Sequence, residues 1–251
     1  MNNFFSIVID TCNHEQWIEK CLKTCLTQRY DNYEVILVDA LSDDKTYEIA
    51  QKYATEFKRL KVFQNTKRLP QIANFFWLRE LSTIDSIMVS VDGDDCLRGC
   101  NVLSKLNEVY NSGDVWLSYG TYAEFHGEGL PFRSVSHIYR KYPDEVINNN
   151  SFREYQWLGS HLRTFRKNLF DKVNPDDCKK EDGQWLDTCG DIGIMFSMLE
   201  MAGNRSRYIP DILYEYNVAN TSRDGALNEK RQMELANYVR SKKKYQKIET
   251  L

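Results

Sequence analysis

The chain has 251 residues, enough for one large domain or two small ones, and 42% of them are hydrophobic, as is typical of a globular core. Its 33 Lys and Arg residues nearly balance 36 Asp and Glu residues, so the net charge of −3 gives no electrostatic reason to expect a nucleic-acid partner. No apolar run approaches the roughly 20 residues of a membrane helix, and the first predicted strand leaves no room for a signal peptide, so we expect a cytoplasmic protein without a transmembrane segment.

Short β-branched apolar runs alternate with amphipathic helical patterns in the first part of the chain, which predicts βαβ units and a mostly parallel sheet. The predicted strands are Phe5 to Asp10, Tyr33 to Asp39, Leu60 to Gln64 and Ser86 to Val91. Helices are expected between them, including one from Ile72 to Leu81. Ligands of such sheets bind beyond the carboxyl ends of the strands, so Asp10, Asp39 and Asp92 are expected to converge on one crevice.

The second half of the chain has a less regular pattern. Trp116 to Phe125 predicts a strand, and the polar stretch from His126 to Asn150 predicts a long loop or an irregular hairpin. Apolar residues at helical spacing from Ile192 to Ala202 predict a helix that Asp191 caps. The remaining predicted elements are a strand from Arg207 to Val218 and a helix with a Lys-rich tail from Ala226 onward.

An acidic tetrad, Asp92-Gly93-Asp94-Asp95, directly follows the fourth predicted strand. Gly93 permits a turn whose backbone conformation a side chain would forbid. Carboxylates crowded on one turn repel one another unless a cation is expected, and Mg²⁺ or Mn²⁺ is typically held by one or two carboxylates together with substrate phosphates. A solvated acidic turn is the alternative, because turns favour Asp and Gly.

No glycine-rich phosphate loop follows any predicted strand, and the first one continues as Thr11-Cys12-Asn13-His14. This argues against a Rossmann dehydrogenase, a P-loop enzyme and the usual sugar-1-phosphate nucleotidyltransferase. The negative charge of a nucleoside diphosphate bound at this edge of the sheet must then be neutralised by a metal ion. The tetrad supplies ligands for that ion.

Several segments follow one another in a familiar order. They are Ser6 to Asn13, Gln28 to Asp39, Ser42-Asp43-Asp44 and the acidic tetrad. In residue type and interval, these segments resemble the opening of family 2 glycosyltransferases with the A-type (GT-A) fold. The resemblance is close over the first four predicted strands and looser beyond them. It implies a single α/β domain in which helices flank a mostly parallel central sheet, with a smaller, irregular acceptor-side half.

The resemblance also implies roles for individual residues. Asp39 would contact the nucleobase, Asp92 the ribose and Asp94 a divalent metal, Mn²⁺ or Mg²⁺. Asp191 resembles the catalytic base, and Asn217 falls near the position where relatives often carry a metal-binding histidine. Because none of the four histidines is nearby in the sequence, we expect water and phosphate to hold much of the metal's coordination sphere. The residues expected to bind the nucleotide sugar are Thr11, Asn13, Asp39, Asp92 and Gly93.

Some positions depart from the family pattern or are ambiguous. Asp10 replaces the usual proline and Ala40 replaces the second aspartate of a V-D-D motif, which leaves the choice of nucleobase open. Gly190 replaces the glutamate that precedes the catalytic aspartate. On the acceptor side, Trp185 is either a platform for a sugar ring or an anchor in the core. Arg163 either meets a phosphate or acidic sugar or forms an ordinary surface salt bridge.

We therefore predict an inverting, metal-dependent glycosyltransferase that moves a sugar from a nucleoside diphosphate sugar, expected to be a UDP-sugar, to a hydroxyl of a glycan or other acceptor. Asp191 would be the general base. The alternatives are a catalytically inactive nucleotide-sugar-binding module of the same fold and a sugar-phosphate nucleotidyltransferase. Residues 1–99 are expected to form the nucleotide-sugar-binding half, 100–225 the acceptor and catalytic half, and 226–251 a C-terminal helix and basic tail.

Overall fold

A computed structural model describes residues 2–222 and 229–251. Within them, helices cover both faces of one nine-stranded sheet. The strands are β1 (Phe5–Thr11), β2 (Tyr33–Asp39), β3 (Leu60–Gln64), β4 (Ile87–Asp92), β5 (Cys96–Leu97), β6 (Leu117–Phe125), β7 (Arg133–Ser134), β8 (Ser160–Arg166) and β9 (Ser206–Asn217). The helices are α1 (Ile18–Leu26), α2 (Thr46–Glu56), α3 (Gln71–Leu81), α4 (Val102–Asn111), α5 (Asp144–Asn148), α6 (Lys167–Phe170), α7 (Gly190–Ala202) and α8 (Glu229–Ser241).

The order of the strands divides the sheet into two parts. β3, β2, β1 and β4 are parallel neighbours in that order. The sheet continues through β8, β6, β9 and β5, where β8 runs antiparallel to both β4 and β6, and β9 runs parallel to β6. The acidic tetrad follows β4, so it lies at the junction between the parallel part and the mixed part.

The central strands are buried because helices pack on both sides of the sheet. Every residue of β1 and β2 is buried, as is typical of parallel strands covered on both faces. Neighbouring residues alternate between two cores. Val8 and Ile36 belong to one core, whereas Ile7 and Val35 belong to the other. This alternation fixes which face of the sheet each side chain occupies.

The structure confirms the mixed α/β class and the first four predicted strands, and it corrects one prediction. It also forms β8 in a segment for which no element was predicted. The prediction that Asp191 caps α7 is wrong, because Cys189 is the N-cap residue and Asp191 lies in the first turn. The expected helix start at Ala226 and the boundary between 225 and 226 lie outside the described residues. None of the helices formed by residues 2–222 and 229–251 combines the length and apolar character that crossing a membrane requires.

Candidate active site

A cleft of about 460 Å³ opens beyond the carboxyl ends of β1 and β4. Asp10 and Asp92 line it from these two strands, and Asp94 lines it from the tetrad. Arg163 of β8 and Asp191 of α7 also line it. Residues far apart in the sequence therefore meet in one cavity, at the sheet edge where such folds bind ligands.

Of the three acidic strand ends expected to converge, Asp10 and Asp92 line this cleft and Asp39 does not. The carboxylate of Asp39, at the end of β2, is buried and hydrogen bonded. It accepts hydrogen bonds from the Ser42 backbone N–H at 2.9 Å, the Ser42 hydroxyl at 2.5 Å and the Gln64 side chain at 3.0 Å. Asn13 has a φ of 57°, a conformation that Asn tolerates, and its Oδ1 accepts the Asp43 N–H at 2.8 Å. These residues fix the loops after β1 and β2, and their contact with a nucleotide stays a prediction.

Asp10, which stands where relatives carry proline, is a buried carboxyl group. Burial raises its pKa to about 8, with the nearby Asp92 and Asp39 adding to the rise and the hydrogen bond from Asn74 opposing it. The Asn74 Nδ2 donates to Asp10 Oδ1 at 2.6 Å, and Asn65 Nδ2 donates to Asn74 Oδ1 at 2.8 Å. Asp10 is therefore largely protonated at neutral pH, which limits the repulsion between the acidic side chains of the cleft.

Gly93 is required by close packing rather than by an unusual backbone conformation. Its φ lies outside the left-handed region, so the expectation of a conformation forbidden to other residues is wrong. A Cβ atom at this position would lie 2.3 Å from the Thr11 Oγ1 and 2.9 Å from the His14 Nδ1. Thr11 and His14 are themselves in contact, with Oγ1 and Nδ1 3.1 Å apart. The loop after β1 thus packs directly on the tetrad.

A histidine lies against the tetrad, although none of the four histidines is near Asn217 in the sequence. The Nε2 of His161, on β8, is 3.5 Å from the Asp92 Oδ2. Ligand atoms of Asp92, Asp95 and His161 all lie within 4.8 Å of one another, and we call these three residues the acidic cluster. His161 and Arg163 are two residues apart on one strand, so the alternation of a β-strand puts both on the same face. That period links His161 to Arg163 only once β8 is known to be a strand.

The ligand atoms of the acidic cluster fit a divalent cation. Asp95 Oδ1 accepts the Asn217 N–H at 2.7 Å, but its buried Oδ2 has no hydrogen-bond partner within the described part of the chain. Burial, with Asp94 and Asp92 adding to it, raises the pKa of Asp95 well above its usual value. Burial and the nearby Arg163 lower the pKa of His161, which favours the neutral imidazole that a metal needs. Two carboxylates and an imidazole are a donor set that suits Mn²⁺.

Asp94, the predicted metal ligand, faces Asn220 rather than Asn217. Asn220 Nδ2 donates to Asp94 Oδ2 at 2.8 Å, whereas Asn217 Nδ2 donates to the Asp94 carbonyl oxygen at 3.2 Å. The Oδ1 of Asn217 accepts the backbone N–H groups of Ala219 and Asn220. Asn217 therefore shapes the loop that follows β9, and its role as a metal ligand stays a prediction. The sequence reasoning missed Asn220, although it lies only three residues further along.

Arg163 connects Asp191 to the acidic cluster. It is only 5% exposed, so the expectation of an ordinary surface salt bridge is wrong. Its guanidinium donates to Asp191 Oδ2 and contacts His161 Nε2. A buried arginine with two partners fixes their orientation as well as balancing their charge. The side chain of Asp191 keeps 37% exposure beside this pair, which leaves it accessible from the cleft.

The sequence also singled out Trp185, as a sugar platform or a core anchor, and Gly190, as a departure from the family pattern. The ring of Trp185 packs on Phe76, with 5.3 Å between centroids, and lies 5.0 Å from the Lys179 ammonium, which agrees with the core-anchor alternative. A Cβ atom on Gly190 would lie 2.5 Å from the Ile72 Cβ. Glycine therefore replaces the glutamate of the family pattern where α7 begins in direct contact with α3.

Comparison with known proteins agrees with this architecture. Residues 6–173 match the family described as Glycosyl transferase family 2. The chain is 39% identical over 70 residues to a dolichyl N-acetyl-alpha-D-glucosaminyl phosphate 3-beta-D-2,3-diacetamido-2,3-dideoxy-beta-D-glucuronosyltransferase of Methanococcus voltae. That match covers 26% of this chain and 22% of the relative, so the chain corresponds to only part of that protein.

Solved structures share the fold at low sequence identity. S. aureus TarS 1-349 in complex with UDP-GlcNAc superposes with a TM-score of 0.66 at 19% identity, covering 85% of this chain and 58% of that one. The mannosyltransferase PcManGT from Pyrobaculum calidifontis, in complex with GDP-Man and Mn²⁺, superposes with a TM-score of 0.62 at 18% identity, covering 96% and 65%. The family match, the sheet order and the acidic edge of the sheet together assign this chain to glycosyl transferase family 2, with a GT-A-type fold.

Proposed function

We propose that this chain is an inverting glycosyltransferase that moves a sugar from a UDP-sugar to an acceptor hydroxyl with the help of Mn²⁺ or Mg²⁺. The observation that carries the proposal is that Asp191 lines the same cleft as Asp92 and Asp94. A general base and a cation site at one cavity are the two parts that such a displacement needs. The UDP-GlcNAc bound to TarS and the GDP-Man and Mn²⁺ bound to PcManGT support a nucleotide-sugar donor.

In the proposed reaction, the acceptor hydroxyl attacks the anomeric carbon on the side opposite the diphosphate. The bond between the acceptor oxygen and that carbon forms as the bond to the diphosphate oxygen breaks, so the configuration inverts. The hydroxyl proton moves to the Asp191 carboxylate, which Arg163 orients. When bound at Asp94 or the acidic cluster, a divalent cation supplies positive charge that stabilises the departing diphosphate.

The remaining assignments belong to the same proposal. Asp39 would bind the nucleobase and Asp92 the ribose, and the acceptor would be a glycan or another molecule with a free hydroxyl. Because Arg163 pairs with Asp191, an acidic acceptor group that reaches Arg163 would also lie close to the base. Residues 1–99 would hold the donor, and residues 100–225 the acceptor.

A donor-hydrolysis assay tests this function without knowledge of the acceptor. The wild type is incubated with a panel of UDP-sugars and GDP-mannose, either with Mn²⁺ or with a chelator, and nucleotide release is measured. We expect slow hydrolysis of a UDP-sugar only with Mn²⁺, and its loss in Asp94→Ala. Asp43→Ala is the control, because that carboxylate is 81% exposed and pairs only at the surface with Arg68.

Each alternative predicts a different result. Equal hydrolysis in chelator would contradict the metal site. A Mn²⁺-dependent rise in thermal stability on adding UDP, without hydrolysis or transfer from any donor, would favour the binding module, because a ligand stabilises a native state that only binds it. Formation of a nucleotide sugar from a nucleoside triphosphate and a sugar phosphate would favour the nucleotidyltransferase.

A further inference from the structure

One buried side chain of β9 contacts every member of the acidic cluster. Tyr214 is fully buried, and the proposed chemistry gives it no role. Its ring stacks on the imidazole of His161, with centroids 4.6 Å apart and planes at 14°. Its hydroxyl accepts the Asp92 backbone N–H at 3.1 Å and lies near the Asp95 carboxylate.

The hydroxyl of Tyr214 can donate a hydrogen bond in addition to the one that it accepts. A phenol has one O–H donor and can also accept a hydrogen bond. Because it accepts from the Asp92 N–H, its own proton is available to the Asp95 carboxylate. One oxygen thereby binds the backbone of Asp92 beside the Asp95 carboxylate, while the ring of the same residue stacks on His161. Tyr122 and Tyr216 also contact that imidazole, with centroids 5.7 and 5.5 Å away.

We propose that Tyr214 is a positioning residue that holds Asp92, Asp95 and His161 in place for a divalent cation. The proposal rests on the metal site of the proposed function and adds a residue to it. The three side chains come from the end of β4, the tetrad turn and β8, and two of them are carboxylates that repel each other. Residues that orient metal ligands without binding the metal themselves commonly lower metal affinity by about 10- to 100-fold when they are removed.

Tyr214→Phe tests this role because it removes the hydroxyl and keeps the ring. Phenylalanine fills the same space, so the fold and the stacking on His161 are expected to remain. We expect the dissociation constant for Mn²⁺, measured on the nucleotide-free protein by electron paramagnetic resonance of free Mn²⁺, to rise about tenfold or more. The readout is cation binding itself, so it does not depend on finding a donor or an acceptor.

Tyr119→Phe is the matched control. Tyr119 is 1% exposed, and its hydroxyl accepts the backbone N–H of Tyr142 at 3.0 Å, much as Tyr214 accepts that of Asp92. It belongs to the core on the other face of the sheet from Tyr214. Removing this hydroxyl therefore has a similar structural cost without touching the acidic cluster, and Mn²⁺ affinity is expected to stay at the wild-type level.

The outcomes separate this proposal from the one on which it rests. A tenfold loss of Mn²⁺ affinity in Tyr214→Phe, with Tyr119→Phe unchanged, supports the positioning role. Equal Mn²⁺ affinities in the wild type and both variants overturn it while leaving the metal-dependent function intact. A wild type that binds no Mn²⁺, with or without UDP, overturns the metal site and the role of Tyr214 together.

Discussion

Two features of its surroundings bear on the proposed role of the Asp191 carboxylate as a base. It lies in the first turn of α7, where unpaired backbone N–H groups and the helix dipole favour a negative charge. It also pairs with the buried guanidinium of Arg163. Both interactions hold the carboxylate at the wall of the cleft that it lines. The pairing also sets the direction of the carboxylate, because guanidinium donors have a fixed planar geometry.

Asp191→Asn is expected to lower sugar transfer by about 100-fold or more, the effect that loss of a general base commonly has. Asparagine keeps an oxygen that can accept from Arg163, so the affinity for UDP with Mn²⁺ should remain near that of the wild type. Steady-state transfer and calorimetric UDP binding measure the two quantities separately.

The control for this prediction is Asp187→Asn. Asp187 lines the same cleft, but its half-exposed carboxylate pairs with Arg231. We expect this variant to retain transfer. If Asp191→Asn transferred sugar as fast as the wild type, the carboxylate of Asp191 would not be the general base.

At the scale of elements, the start of α7 depends on contact with α3. Gly190 is the first residue of α7, and the absence of a side chain lets the helix approach Ile72. This contact places the first turn of α7, and with it Asp191, beside the cleft. The packing explains why the glutamate of the family pattern is absent from position 190.

Gly190→Ala should therefore destabilise the protein, although alanine is the better helix former. The new Cβ would lie 2.5 Å from the Ile72 Cβ, and such overpacking typically costs about 1–3 kcal/mol in the free energy of unfolding. Urea-induced unfolding measures the change. Gly193→Ala in the same helix is the control, because its Cβ would meet Cys178 Sγ at an ordinary 3.5 Å. We expect Gly193→Ala to be neutral or stabilising, by up to about 1 kcal/mol from helix propensity; the same loss in both variants would contradict the packing argument.

At the scale of the whole molecule, a buried ion pair joins the C-terminal segment to the rest of the fold. Arg153 is bonded through Nε and Nη2 to both oxygens of Glu200 in α7, at 2.6 and 2.9 Å. Its Nη1 donates to the Val239 carbonyl in α8, and Glu200 also accepts the Tyr245 N–H. One pair of charges therefore connects α7, α8 and the segment after it.

Arg153→Met should lower the free energy of unfolding by about 3–5 kcal/mol, because it leaves the carboxylate of Glu200 buried without its partner. The pair is 3% and 0% exposed, so solvent cannot replace the lost interaction. Glu154→Gln is the control, since its partner Lys244 is at the surface and exposed pairs are worth about 0–1 kcal/mol. Both variants are compared by urea denaturation, and a loss below about 1 kcal/mol in Arg153→Met would show that the pair does not hold this segment.

The sequence by itself was enough to predict the parallel half of the fold and the position of the acidic tetrad. β1 to β4 are short apolar runs separated by amphipathic helices, and that local pattern follows from burial on both faces of a sheet. The convergence of Asp10 and Asp92 could also be predicted, because both lie at the carboxyl ends of adjacent parallel strands.

Only the tertiary structure brought His161, Arg163 and Tyr214 to the tetrad. β8 and β9 enter the sheet next to β4 and β6 through long-range pairing, and the polar residues of β8 obscure its strand pattern in the sequence. The hydroxyl of Tyr214 meets the Asp92 N–H across 122 positions of the chain. Local spacing determines which face of its own element a residue occupies, but which residues meet across elements depends on how the strands are ordered and packed.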